Sequence, residues 1–299
     1  MMSQTGVACA LHQSDLQPAK GISWMSDHPK TINRGFDADA GDLVYSRAGQ
    51  HLSCVSDDVA KGLPVIDDDL LATLCDACLA PSRRGIAEVS REIRNAGHSA
   101  QEIAEVYVPA AARIMGVRWC EDSMSFAEVT IGCSRLHTLL RDVQSEWTPE
   151  DKIGNDAPSM LILVGKDAFH TLGATVLTGM MRRLGVSARL SIGAESKEIA
   201  QMVRATKFDC VLISASIGES LETTRKIVES AKSASIEPLL VIVGGTILEG
   251  AEGRAQEILA ATAADHVTND PSEAIRLCGL ENLRAPTKQV SSVTPMRRS

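Results

Sequence analysis

The chain has 299 residues, 44% of them hydrophobic, with 38 acidic against 30 basic residues and a formal net charge of −8. That length accommodates two modest domains with cores of their own, and the acidic balance argues against a protein that grips nucleic-acid phosphates by itself, since such binding draws on clustered Lys and Arg. No apolar run approaches the roughly 20 residues needed to span a bilayer, and the N-terminus lacks the basic and apolar regions of a signal peptide, so the expected compartment is the cytoplasm.

Residues 1–65 mix polar, Gly and Asp residues without a sustained helical or strand period, which predicts a flexible N-terminal arm. From Leu70 to Val143 the pattern is helical, with segments near 68–79, 83–95, 100–117 and 125–145 separated by Pro81, an Asn95-Ala96-Gly97 stop and a turn from Gly116 to Ser123. Ser99 with Glu102 and Ser125 with Glu128 have capping-box spacing, in which a hydroxyl and a carboxylate satisfy the free amides of a first helical turn. Phe126, Val129, Cys133, Leu136, Leu140 and Val143 alternate steps of three and four, the mark of one buried seam. These segments predict a four-helix bundle over 66–147. The eight cysteines are scattered, as expected of reduced thiols, and the Cys75-x-x-Cys78 pair continues the stripe Leu70, Leu71, Leu74, Leu79, so it reads as core packing rather than half a zinc site.

Turn-forming residues between 146 and 158 mark a linker, placed at 148–158, and beyond it the period changes. Strand runs Met160–Gly165, Ala188–Ile192, Cys210–Ala215, Leu239–Val243 and His266–Thr268 alternate with helices near 171–184, 195–206, 219–234, 253–262 and 271–278. Regular alternation implies right-handed crossovers and a parallel sheet covered on both faces. The fold class is therefore α+α/β: a four-helix bundle followed by a flavodoxin-like five-stranded domain over 159–282, strand order 2-1-3-4-5, with its ligand site beyond the carboxyl ends of the strands. Arg284, Lys288, Arg297 and Arg298 fall in a Pro/Ser/Thr-rich stretch, 283–299, read as a flexible tail.

Three marks fall at those carboxyl ends. His170-Thr171-Leu172-Gly173 follows the first strand, Ser214-Ala215-Ser216 ends the third, and Gly244-Gly245 ends the fourth. Glycines without side chains let a planar group pass close to the backbone, hydroxyls can hydrogen-bond a nitrogen heterocycle, and an imidazole on a loop can ligate a transition metal.

The constellation resembles the cobalamin-binding domain family, whose pattern is Asp-x-His-x-x-Gly, then Ser-x-Leu or Ser-x-Thr, then Gly-Gly. The resemblance implies that His170 is the lower axial ligand of cobalt and that Gly173, Ser214, Ser216, Gly244 and Gly245, with Thr246 next to them, hold the cofactor and its displaced nucleotide tail. The chain departs from the pattern two residues before the histidine, where Ala168 stands; the nearest carboxylate is Asp167, one place further away. A four-helix module before such a domain is similar to the family's cap over the upper corrin face, which makes Trp119 and Val129 candidate contacts. Family caps often read Trp, nine residues, Glu-His; here Trp119 is followed at that spacing by Val129-Thr130. The segment from Gly116 through Trp119, Asp122, Phe126, Glu128 and Gly132 to Leu140 resembles the AerR/PpaA family of photosynthesis-gene regulators. That resemblance implies a non-enzymatic protein that binds adenosyl- or hydroxocobalamin, responds to light, and acts as an antirepressor through a DNA-binding repressor of the PpsR/CrtJ type, without touching nucleic acid or membrane itself. Nothing in the sequence decides between monomer and homodimer.

Plainer readings stand beside these. HxxG alone is a weak signal, Gly-Gly after a strand is usually a turn, and Ser-x-Ser could cap the helix that follows it, with Glu219 and Glu222 near its positive end. Trp119 could be core, and His137 reads as surface or bundle packing rather than a metal ligand. Of other functions, a corrinoid carrier for methyl transfer uses the same histidine, and a haem or tetrapyrrole sensor could use the same fold. A generic Rossmann-like enzyme lacks support, because no GxGxxG follows the first strand and no catalytic dyad is visible.

Overall fold

Hydrophobic period selects helix before residue 148 and strand after 158. The computed structural model describes residues 66–280 except 81, 83, 149–152, 155, 167–170 and 250–252, so the N-terminal arm, the C-terminal tail, Asp167 and His170 lie outside the described residues. The bundle and the sheet fall within one compact unit of the chain.

Helix α1 (Asp68–Leu79) starts where the Asp67 carboxylate accepts hydrogen bonds from the amides of Asp69 and Leu70 at 3.0 and 3.1 Å. It buries Leu70, Leu71, Leu74, Cys75 and Cys78, as their spacing predicts. Helix α2 (Arg84–Asn95) packs beside it and contributes Ile86, Val89 and Ile93 to the same core. Helix α3 is built of three consecutive pieces: an α turn at Ala100–Glu102, a π segment at Ile103–Tyr107 and an α-helix at Val108–Cys120. Helix α4 is Phe126–Trp147. Both expected capping boxes form, Ser99 with Glu102 and Ser125 with Glu128.

Three expectations need correction. Gly116 does not end α3, which runs on to Cys120; a single interior glycine costs a helix only about 1 kcal/mol, less than packing supplies. Helix α4 extends two residues past 145 because Trp147 is buried in the bundle core at 4% exposure. Phe126 does not join the buried seam: it lies in the first turn of α4, 62% exposed, and the buried positions begin further along with Gly132, followed by Leu136, Leu139, Leu140 and Val143.

The second half is a five-stranded sheet, all neighbours parallel, in the order β2-β1-β3-β4-β5 expected from the flavodoxin-like resemblance. The strands are β1 (Ser159–Val164), β2 (Ser187–Ile192), β3 (Cys210–Ser214), β4 (Leu240–Gly244) and β5 (His266–Val267). Their crossovers carry α5 (Leu172–Arg183), α6 (Ser196–Ala205), α7 (Leu221–Ala234) and α8 (Arg254–Thr262), and α9 (Pro271–Leu277) closes the described chain. Helices on both faces make β1, β3 and β4 almost continuously apolar.

Helix α5 belongs to both halves. Leu172 and Val176, with Met180, pack into the bundle core, whereas Ala174 and Met181, with Leu177, pack into the core under the sheet. Steps of four on one face and of three and four on the other give this single helix two apolar stripes.

Candidate functional site

Strand register gathers the sequence marks. Ile192, Val164, Ser214 and Gly244 are direct partners in one row across β2, β1, β3 and β4, so the chain leaves the sheet at the same level in four successive strands. Beyond that row lie Gly193, Gly165 and Lys166 after β1, the Ala215–Glu219 turn and the Gly245–Leu248 turn.

The two glycines are demanded by the backbone around them. A Cβ on Gly244 would run into the carbonyl oxygen of Thr268, and one on Gly245 into that of Ala215; Gly245 also has φ +102°, a region that favours glycine. The amide of Ala215 donates to the carbonyl of Gly244 at 2.9 Å, that of Ile247 to the carbonyl of Ala215 at 3.2 Å, and that of Gly245 to Asn269 Oδ1 at 2.8 Å. Glycine is thus required by the protein's own backbone, and the pair stitches the ends of β3, β4 and β5 into a firm edge.

Ser214 is half-buried at the strand end, Ser216 is buried, and Thr246 is exposed with its Oγ1 accepting from the amide of Ile217 at 3.0 Å. The amide of Ser216 donates to Glu219 Oε1 at 2.7 Å, and the amide of Glu219 returns a bond to the Ser216 carbonyl at 3.0 Å. Neither serine caps α7, whose N-cap is Ser220. Gly173 sits exposed in the first turn of α5 with open space around it.

On the bundle, Trp119 is 38% exposed at the end of α3, its ring tilted against Phe126 with centroids 6.1 Å apart. Placing Trp119 in a core is therefore wrong: the two rings form an exposed aromatic pair between α3 and α4. Val129 is half-buried against the bundle core, and Thr130 donates its hydroxyl to the carbonyl of Phe126 at 2.8 Å. His137, eight residues after Val129, lies at the junction: its Nε2 is 3.3 Å from Thr171 Oγ1. Burial, with Arg141 nearby, holds its imidazole below the ordinary histidine range. His98 also has a partner: its Nε2 is 3.0 Å from the hydroxyl of Tyr107 in the π segment.

Sequence reasoning missed the second junction. Glu105, in the π segment, accepts from Arg183 Nε at 2.6 Å and from the Trp147 indole at 2.7 Å, and the Trp147 ring fills the place of a side chain at Gly179. These residues lie far apart in sequence, and only the readable small position, Gly179 within a helix, hinted at a close approach. Among the described residues no cluster of His, Cys, Asp and Glu could hold a metal ion, and no helix is long and apolar enough to cross a membrane.

Comparison with known proteins matches this geometry. The B12 binding domain family matches residues 158–275, the whole sheet as far as α9. A Rhodobacter capsulatus protein described as an uncharacterized 20.5 kDa protein in the bchF-crtJ intergenic region is 34% identical over 181 residues, which cover 60% of this chain and 92% of that protein. Among solved structures, the Methanosarcina barkeri monomethylamine corrinoid protein overlays with a TM-score of 0.57 at 15% identity, covering 72% of this chain and 99% of that one, which establishes the shared fold. A cobalamin-binding protein from Desulfitobacterium hafniense DCB-2 is more distant, with a TM-score of 0.36 at 16% identity over 71% of this chain and 98% of that one. With its B12 binding domain behind a helical bundle, the chain belongs to the AerR/PpaA family of cobalamin-binding proteins.

Proposed function

We propose that this protein is a light-responsive transcriptional regulator that binds cobalamin and acts as an antirepressor, through a DNA-binding repressor partner of the PpsR/CrtJ type, on photosynthesis genes. The observation that carries the reading is the likeness to a protein whose gene lies between bchF and crtJ, along nearly all of that protein's length. The described residues fit the cofactor. The carboxyl edge offers Ser214 and Thr246 as hydrogen-bonding groups beside the exposed apolar side chains of Ile192 and Ile217, the mixture that a flat macrocycle with an amide-bearing rim requires.

Bound cobalamin would supply a cobalt ion with a ligand that light can exchange or remove. His170 would hold the metal, with Asp167 the nearest carboxylate in the chain to orient its imidazole. Ser214, Ser216, Gly244, Gly245 and Thr246 would hold the tail, and Trp119 and Val129 would cover the cofactor from the bundle. Regulation requires two states with different affinity for the partner. A bundle that shares helix α5 with the cofactor domain is built to pass a change at that edge to a distant surface.

Purified full-length protein should therefore co-elute with hydroxocobalamin or adenosylcobalamin, and light should change the absorption of the adenosyl form and the retention of the repressor on the protein. Replacement His170→Ala should alter the cobalt spectrum. Absence of corrinoid uptake overturns the reading, and so does a strong, salt-sensitive gel shift with DNA by this chain alone. Uptake of haem in preference to corrinoid, or turnover of a methyl group on the bound corrinoid with a methyltransferase, favours the tetrapyrrole or carrier reading instead.

A further inference from the structure

We propose that His137 is a positioning residue for the cofactor site, holding the N-terminal end of α5 to the bundle through Thr171; the inference rests on the cobalamin-binding reading above. Thr171 is the N-cap residue of α5, yet its side chain makes no capping bond to that helix. An N-cap hydroxyl ordinarily accepts from an amide of its own first turn. Here it is directed instead across the boundary, where His137 Nε2 lies 3.3 Å from Oγ1.

The backbone of Thr171 is committed to α5. Its carbonyl accepts from the amide and from the hydroxyl of Thr175, both at 3.0 Å. A side chain that fixes Thr171 consequently fixes the start of the helix. The next residue, Leu172, is buried in the bundle core together with Val176, while Ala174 packs under the sheet, so the bundle shares with the sheet in setting where this end of α5 lies. Thr171 immediately follows His170 and stands two residues before Gly173 in the His-x-x-Gly run. The imidazole on α4 therefore acts on the middle of the motif from outside the domain that contains it.

A histidine that only filled space at the junction would be replaced well by leucine. A histidine that positions Thr171 would not, and glutamine, which carries a hydrogen-bonding group at similar reach, would serve in its place. One hydrogen bond of ordinary net strength corresponds to a change in affinity of about fivefold.

The experiment titrates the full-length protein with hydroxocobalamin for wild type, His137→Leu, His137→Gln, Thr171→Val and the His137→Leu/Thr171→Val double variant, following cobalt absorption. It adds hydrogen exchange of the amides from Thr175 to Leu177, the first of which donates to the Thr171 carbonyl, in the cobalamin-free proteins. The Leu and Val variants should each bind about fivefold more weakly, the double variant no more weakly than either, and the Gln variant within about twofold of wild type. Exchange at the start of α5 should quicken in the Leu and Val variants and not in the Gln variant. Normal binding by all variants overturns the inference alone, as do additive losses or a Gln variant as weak as the Leu variant. A wild type that takes up no hydroxocobalamin overturns the functional reading and the inference together.

Discussion

Arg183 grips Glu105 at two points across the junction of bundle and sheet, Nε to Oε1 at 2.6 Å and Nη2 to Oε2 at 3.1 Å. The carboxylate is only 6% exposed and is further bonded by the Trp147 indole and by Gln101 Nε2 at 3.2 Å. Removing one member of a buried, hydrogen-bonded charge pair leaves the other uncompensated, which costs about 3 kcal/mol or more. Glu105→Ala should lower unfolding stability by about that amount in urea titration. A double-mutant cycle with Arg183→Ala should return a coupling above about 1 kcal/mol.

Two glycines in helices should answer oppositely to the same change. Gly116, in α3, has open space where a Cβ would stand, so Gly116→Ala should stabilise by about 0.5–1 kcal/mol through reduced backbone freedom in the unfolded chain. Gly179, in α5, faces the Trp147 ring, so Gly179→Ala should destabilise by about 1–3 kcal/mol through overpacking. Thermal unfolding of the two variants beside wild type tests both signs.

Stability should fall on the acid side. In the folded protein the His137 imidazole is held below its ordinary range by burial first and Arg141 second, whereas in the unfolded chain it titrates near about 6.5. As pH drops below that value the unfolded state takes up more protons than the folded one, so this contribution is complete above about pH 7.5 and diminishes toward pH 5. Urea midpoints measured at pH 7.5 and pH 5.5 should converge between wild type and His137→Gln as pH falls.

Thiol reactivity should separate by place. Burial pushes the Cys75 thiol up to about 11 and that of Cys78 up to about 12, while Cys120 is exposed at the end of α3. Since the thiolate is the nucleophile, iodoacetamide at pH 8 should, among the described cysteines, label Cys120 first and reach Cys75 and Cys78 only at the rate of unfolding. Mass spectrometry of a labelling time course measures this directly.

Much of the architecture was legible because it depends on period. Leu70, Leu74 and Cys78 at helical spacing, and near-continuous apolar runs such as Leu161 to Val164, encode burial locally, so the parallel sheet followed from alternation, and the strand order with the convergence of Ser214 and Gly244 from the resemblance to the flavodoxin-like arrangement. What the sequence concealed depends on pairs. Glu105, Trp147 and Arg183 are 36 or more residues apart in sequence, and no single position shows that they meet. Phe126 kept the spacing of the α4 seam but lies in the helix's first turn, where its ring meets the exposed Trp119. The glycine pair was found for its fit to a ligand, while its role in admitting the carbonyl oxygens of Thr268 and Ala215 required the neighbouring strand ends.

Helix α5 changes where this protein can be cut. The B12 binding domain match begins at residue 158, yet a fragment starting there would keep Leu172, Val176 and Gly179 while losing the bundle core and the Trp147 ring that cover them. Such a fragment would carry an uncovered apolar stripe into water and tend to associate. The smallest piece expected to fold alone is therefore the bundle together with the sheet, and any transfer of the cobalamin site to another protein has to carry both.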